Sequence, residues 1–340
     1  MSDDKIPVFL ISDEKYAPYM CVTIASILEN TRRGIHIVVL DGGINDDTKD
    51  KISIFSKKYA HLSCIEFLPV DIERFKDFPN LMHFSLNTYF RYLIPELKPG
   101  VDKALYIDCD MLLTADVGEL YDADLCGKPL AAVPYRDERD DMRALVSARS
   151  EPSIKQILGL PDEHLYFNAG LLVIDCKQFR MKGWVDELFA LTSKYSSIIR
   201  YPDQDILNII SVLNYHVLED DWNAVVDIDL AYGIKRDEIP KVIHFTGGTN
   251  TRPWFSLTCP YRELFDSYAR LTPFYDELFK QRVESELMEQ KKIISQLVQA
   301  EYQRRRGFLY RVWMRLTGRR ALNRECYSKW RKILSLLGCK

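Results

Sequence analysis

From its first residues the chain alternates short unbroken apolar runs with stretches of helical period. Pro7–Ser12, Ile35–Leu40, Cys64–Val70 and Lys103–Ile107 are rich in β-branched, leucine or aromatic side chains and are bounded by polar or turn-forming residues, which predicts strands. Between them, Ala17–Glu29, Asp46–Tyr59 and Thr88–Leu97 predict helices. Leu130–Val133, Leu171–Ile174 and Lys241–Phe245 extend the set of strands, and further helices are expected over Gly183–Tyr195 and from Pro202-Asp203 onward. Strand–helix–strand order implies an α/β fold with a largely parallel sheet covered on both faces. Such sheets hold their ligands beyond the C-terminal strand ends, so the residues directly after each strand are the first candidates for chemistry.

From about Pro273 the pattern changes. Asp276–Gln303 reads as a long charged helix with Leu287, Ile294 and Val298 near one face. Two basic amphipathic segments follow Arg304-Arg305-Arg306: Phe308, Leu309, Val312, Trp313 and Leu316 share one side of the first, and Trp330, Ile333, Leu334 and Leu337 one side of the second. The expected organisation is a catalytic-size domain over 1–272, a helical connector over 273–303 and a basic tail over 304–340.

Composition sharpens this picture in two places. The 340 residues are 47% hydrophobic and 28% charged, which suits one large domain plus an appendage and excludes a disordered chain. The net charge of −3 hides an asymmetry: residues 301–340 carry +10, leaving −13 on the rest. An acidic body argues against nucleic acid as a partner. The cationic, apolar-faced tail fits an anionic membrane surface, with packing on the acidic body or dimerisation as the alternative. The eight cysteines (21, 64, 109, 126, 176, 259, 326 and 339) form no C-x-x-C pair and read as scattered core thiols of a reducing compartment. The N-terminus Met-Ser-Asp-Asp-Lys shows no signal peptide, and no apolar run approaches the ~18 residues of a spanning helix. A cytoplasmic protein, peripheral on the inner face of the cytoplasmic membrane, is the expectation.

The sharpest chemical feature is Asp108-Cys109-Asp110, directly after the strand Ala104–Ile107. Two carboxylates spaced i and i+2 can meet at one cation only where a strand ends or bends; there they offer hard oxygen ligands that could in turn hold a diphosphate. Two solvated loop acids are the bland reading, and the strand end makes the two about equal. His244 stands at another strand end, followed by Gly247-Gly248, and an imidazole beside two carboxylates suits Mn²⁺ better than Ca²⁺. A satisfied structural histidine is the alternative. Arg252 could neutralise the same diphosphate. Tyr166-Phe167-Asn168-Ala169-Gly170 precedes an apolar strand, either as a ligand-facing backbone or as a plain turn. Asp203, opening a helix, is an adequate N-cap in its own right. No G-x-G-x-x-G, Walker loop or G-x-S-x-G occurs, which removes the best support for a dinucleotide oxidoreductase, a P-loop kinase or a serine hydrolase.

Six motifs in this order carry a resemblance: Ser12–Tyr16, Asn87–Arg91, Tyr106–Asp110, Tyr166–Gly170, Pro202–Asp205 and His244–Trp254. Over about residues 6–255 the chain resembles the family-8 retaining glycosyltransferases of the lipopolysaccharide and lipooligosaccharide type. That resemblance implies a GT-A-like open mixed sheet, mostly parallel and flanked by helices, with the helical basic tail appended. It implies a hexosyltransferase that moves glucose or galactose from UDP-glucose or UDP-galactose to a glycan or glycolipid acceptor such as lipopolysaccharide core. Asp108, Asp110 and His244 would bind Mn²⁺, with Mg²⁺ the alternative. Ile11 and Asp13 would line the uracil and ribose pocket, with Tyr16 stacking nearby. Arg91, Asn168, Ala169, Asp203 and Gln204 would surround the transferred sugar, Gly247 and Arg252 would hold phosphate, and His83 would face the acceptor.

The motif around His244 departs from the family's H-x-x-G-x-x-K-P-W by two extra residues and by Arg252 in place of lysine. Lys15 stands where a relative has an amide. Tyr135 takes the place of a sugar-binding aspartate, with Asp137 two positions on. Gln204 is a poor nucleophile, so the resemblance favours front-face attack, with Asp203 orienting the sugar. A capsule, surface-glycan or protein acceptor is the nearest rival, and a catalytically silent nucleotide-sugar-binding protein the rival of another class. The sequence does not choose between glucose and galactose or fix the oligomeric state.

Overall fold

The computed structural model describes residues 5–81, 85–135 and 153–317. Ten strands occur among them: β1 (Ile6–Ser12), β2 (Ile35–Asp41), β3 (Leu62–Pro69), β4 (Lys103–Ile107), β5 (Met111–Leu113), β6 (Leu130–Pro134), β7 (Phe167–Asp175), β8 (His216–Val217), β9 (Ala224–Val225) and β10 (Val242–His244). The main sheet has the order β3-β2-β1-β4-β7-β6-β8, and a small second sheet the order β5-β10-β9. Pairing is parallel through β3-β2-β1-β4 and again between β6 and β8. Within the main sheet only β7 runs antiparallel to its neighbours, β4 and β6. The sheet is therefore mixed and mostly parallel, as expected.

The apolar runs are unbroken because both faces of the sheet are covered. Along β1, Ile6, Val8 and Leu10 belong to one core, while Phe9 and Ile11 belong to the other. In β4 the same alternation sends Leu105 and Ile107 one way and Ala104 and Tyr106 the other. The helix Ala17–Asn30 is buried along most of its length between the two sheets, whereas Asp46–Ser56 buries only an edge and is capped by Asn45, whose side chain accepts from Thr48 N–H at 2.8 Å.

Three local expectations are corrected. Asn168, Ala169 and Gly170 do not precede β7 but lie within it, because the Asn168 side chain satisfies the Gly170 N–H at 3.0 Å inside the strand. The segment predicted as one helix over Thr88–Leu97 is a 3₁₀ stretch, Leu86–Leu93, followed by a single α-turn, Ile94–Leu97. The cysteines are not all core thiols: Cys21, Cys176 and Cys259 are buried, but Cys64 and Cys126 are exposed.

The charged C-terminal pattern is one helix, Tyr275–Thr317, that runs through Arg304 without a break. Its first turns pack into the body: Leu278 is 1% exposed, and Arg282 is buried against Asp266 at 2.5 Å. No helix among the described residues is long and apolar enough to cross a membrane.

Candidate active site

Order reverses between β1 and β4: the chain leaves β1 for β2 on one side and reaches β4 on the other. A crevice opens beyond the C-terminal ends of strands at such a point. Asp13 follows β1 there and Asp108 follows β4. Asp108-Cys109-Asp110 is also where the chain passes from the main sheet into β5 of the small one, which lets two carboxylates at i and i+2 turn to the same side. Backbone bonds hold that crossover: Asp108 N–H donates to Gly170 O at 2.7 Å, and Phe245 N–H donates to Asp110 O at 3.0 Å. The Thr23 hydroxyl, from the buried helix, reaches the carbonyls of Cys109 (3.0 Å) and Met111 (2.8 Å).

β10 pairs with β5 so that His244 lies opposite Met111, one residue from Asp110. Its Nε2 is 3.3 Å from an Asp110 oxygen and 3.8 Å from an Asp108 oxygen. One ligand atom from each of the three lies within 4.8 Å of the others. Burial disfavours a charged His244 ring, but the two carboxylates outweigh it and hold the pKa above the ordinary histidine value. Burial opposes the Asp110 carboxylate too, yet His244 and Arg252 keep its pKa below the usual range. Two hard oxygens from half-buried carboxylates and a borderline nitrogen from a buried ring, converging at one place, fit a divalent cation of the Mn²⁺ or Mg²⁺ kind.

Gly170 makes the space. A Cβ there would stand 2.5 Å from His244 Cε1 and 2.8 Å from an Asp108 oxygen, closer than real Cβ contacts come. Gly170→Ala should therefore lower divalent-cation affinity about tenfold or more by displacing ligands, while the rest of the fold persists. Titrating Mn²⁺ against the variant, with circular dichroism as the fold control, checks this; unchanged affinity would show the ligands need no such room.

Behind the carboxylates lies Arg91. Its Nη2 meets Asp108 at 3.1 Å, its Nη1 donates to Ala169 O at 2.6 Å, and its Nε is 3.0 Å from Asp203. The guanidinium also lies over the Tyr106 ring, 4.3 Å from its centroid. Tyr106 itself donates to Asp108. Burial works against the charged arginine, but Asp203, Tyr106 and Asp108 hold its pKa above the usual value. Asp203 does not cap its helix, correcting the sequence reading. It lies inside the first turn, accepts from Thr88 and pairs with Arg91, and burial lifts its pKa despite that arginine. The helix start is served instead by Asp205, whose Oδ2 accepts from Arg200 N–H (2.7 Å) and Tyr201 N–H (3.0 Å). Burial pushes the Asp205 pKa up to about 6.

Gln204 lies between these groups. Its Oε1 accepts from Asn168 Nδ2 (3.0 Å) and Ala169 N–H (3.1 Å), and its Nε2 donates to the Tyr166 hydroxyl (3.0 Å). A residue the sequence did not single out joins the two halves of the site. Asn223, 4% exposed, faces His244 Nδ1 at 3.0 Å and Asn168 at 2.9 Å. The only hint was Trp222-Asn223 in an otherwise acidic loop, which reads as a turn.

On the opposite wall, Asp13 Oδ1 accepts from Tyr16 N–H at 3.0 Å at the start of the buried helix, and Ile11 is buried beside it. Arg252 reaches this region despite the longer loop: its charge acts on both Tyr16 and Asp110. Its Nε is buried without a partner. Gly247 adopts φ +85°, with the Asp227 carboxylate against its free face. His83 and Asp137 lie outside the described residues. A small open cleft lies beside Asn168 and Asn223, with Pro134, Tyr135, Asp229 and Arg236 in its walls.

Comparison with known proteins agrees with this geometry. The glycosyl transferase family 8 model matches residues 7–258. A Haemophilus influenzae protein with a provisional glycosyltransferase name is 34% identical over 203 residues, covering 59% of this chain and 58% of that protein. A lipopolysaccharide 1,2-glucosyltransferase of Escherichia coli is 26% identical, with 71% of each chain covered. The crystal structure of galactosyltransferase LgtC with donor and acceptor sugar analogues superposes with a TM-score of 0.67 at 26% identity, over 79% of this chain and 96% of that one. By sequence, fold and the placement of its acidic crossover, the chain belongs to glycosyl transferase family 8, a family of UDP-sugar-dependent glycosyltransferases.

Proposed function

We propose that this protein is a retaining hexosyltransferase that moves glucose or galactose from its UDP donor to a glycan acceptor, foremost lipopolysaccharide or lipooligosaccharide core. The convergence of Asp108, Asp110 and His244 at the end of β4 carries the reading. Those three residues would hold Mn²⁺, which when bound supplies positive charge to the diphosphate as the anomeric bond breaks. Ile11, Asp13 and Tyr16 would receive the uridine, and Gly247 and Arg252 the phosphates. Arg91, Asn168, Ala169 and Asp203 would orient the sugar, and His83 would face the acceptor.

Front-face attack has specific support. Double displacement needs a carboxylate free to bond the anomeric carbon. Asp203 is 4% exposed and already engaged by Thr88 and Arg91, and Gln204 is a fixed amide. Glucose and galactose stay open together, since a glucosyl- and a galactosyltransferase are similar to the chain at the same identity. Incubation with each UDP-sugar and Mn²⁺, reading UDP release and the anomeric coupling of the product, tests the reading. A product of inverted configuration, or no release with either donor, overturns it.

Arg252→Ala should weaken UDP-sugar binding several-fold more than uridine binding, because the cation that acts on Asp110 would pair with the diphosphate, which uridine lacks. Isothermal titration with both ligands decides; equal losses would place another cation on the phosphates.

The basic tail would dock the enzyme on an anionic membrane surface, where a lipid-linked acceptor lies. Each cation near such a surface contributes about 1 kcal/mol. Deleting 301–340 should abolish sedimentation with anionic liposomes yet spare transfer to a small soluble sugar. Indifference of the intact protein to such liposomes at low salt would refute docking.

A further inference from the structure

The side-chain chain from His244 to Asp205 has a direction, and two backbone groups set it. Gly170 N–H donates to Asn168 Oδ1 at 3.0 Å, and Ala169 N–H donates to Gln204 Oε1 at 3.1 Å. A backbone N–H can only donate, so each amide oxygen is identified by a fixed donor rather than by a choice of flip. With the Asn168 oxygen at Gly170, the Asn223 group that meets it at 2.9 Å has to be the NH₂. The Asn223 oxygen then faces His244 Nδ1 at 3.0 Å, and that nitrogen carries the proton. On the other side Asn168 donates to Gln204, Gln204 to Tyr166, and Tyr166 to Asp205.

We propose that Asn223 is a positioning residue: it holds His244 in its Nδ1–H form, turns the Nε2 lone pair toward Asp108 and Asp110 for a divalent cation, and ties that ring through Asn168 to Gln204. The inference rests on the metal reading given above. Every donor along the path meets one acceptor, so neither amide can flip without breaking a bond to the backbone. Outer partners of a metal-bound histidine fix its ring orientation, and their loss costs about 10–100-fold in metal affinity.

His164 supplies an internal control, because its surroundings dictate the opposite form. Leu213 N–H donates to its Nδ1 at 3.2 Å, leaving Nε2 to donate to Asn208 at 3.0 Å. ¹⁵N NMR of the metal-free wild-type protein at alkaline pH, where imidazoles are neutral, should show His244 as Nδ1–H and His164 as Nε2–H. Mn²⁺ titration followed by electron paramagnetic resonance, with no turnover involved, should find Asn223→Ala about 10–100-fold weaker than wild type. Asn223→Asp keeps an acceptor for Nδ1–H and should retain Mn²⁺ affinity while losing its donation to Asn168. An Nε2–H form of wild-type His244, or full Mn²⁺ affinity in Asn223→Ala, overturns the role of Asn223. A wild-type protein that binds no Mn²⁺ overturns the metal assignment itself, which is a separate result.

Discussion

Asp110→Asn should reduce transfer by about a thousandfold or more while leaving the unfolding transition near that of the wild type. Several kcal/mol of charge stabilisation at a departing diphosphate depends on a bound cation, and ~4 kcal/mol corresponds to roughly three powers of ten in rate. Asp110 is the cleaner of the two carboxylates to test. Its charge partners are His244 and Arg252, whereas Asp108 also holds Arg91 at 3.1 Å and accepts from Tyr106. Asp108→Asn would disturb the arginine that reaches Asp203, so its loss of rate would mix two causes. UDP release at saturating donor, measured with and without EDTA, is the assay. Near-normal transfer that resists EDTA would end the metal assignment.

The second large effect is on stability. Arg282→Ala should destabilise the protein by about 3–5 kcal/mol, because removing one partner of a buried ion pair strands the other. Arg282 meets both oxygens of Asp266, and the two side chains are 1% and 7% exposed. Arg262, 3.2 Å from the same carboxylate, offsets part of the loss and places the expectation toward the lower end. Replacing both partners, Arg282→Met with Asp266→Leu, should recover most of it, since an apolar pair avoids desolvating two charges. Urea denaturation curves of the three proteins decide. A wild-type midpoint for Arg282→Ala would mean the pair contributes nothing.

The strands and the acidic crossover were legible because both depend on local pattern. An apolar run ending in Asp108-Cys109-Asp110 marks a strand end whatever surrounds it, and glycines after His244 mark another. The direction of β7 was not legible: a strand buried on both faces reads as the same apolar run whichever way it points. Asp203 misled for a different reason. At a helix start an aspartate suits capping, and only the long-range approach of Arg91 and Thr88 gives it other work. Asn223 was invisible because its partners, His244 and Asn168, are distant in sequence and meet it only when the two sheets close on each other. Local pattern finds the groups that face a ligand better than the groups that aim them.

The early turns of the C-terminal helix bear on how far this protein is modular. Phe265, Ala269, Phe274 and Leu278 share one apolar core with Phe245 and Trp254, and Gln281 bonds the hydroxyl of Tyr19, which stacks on Trp254. A chimaera that exchanges C-terminal segments between relatives should therefore be spliced after Arg282. A junction placed just beyond the last motif residue, Trp254, would remove apolar side chains that complete the core around Phe245 and Trp254, and the graft would lose its folding unit along with its tail.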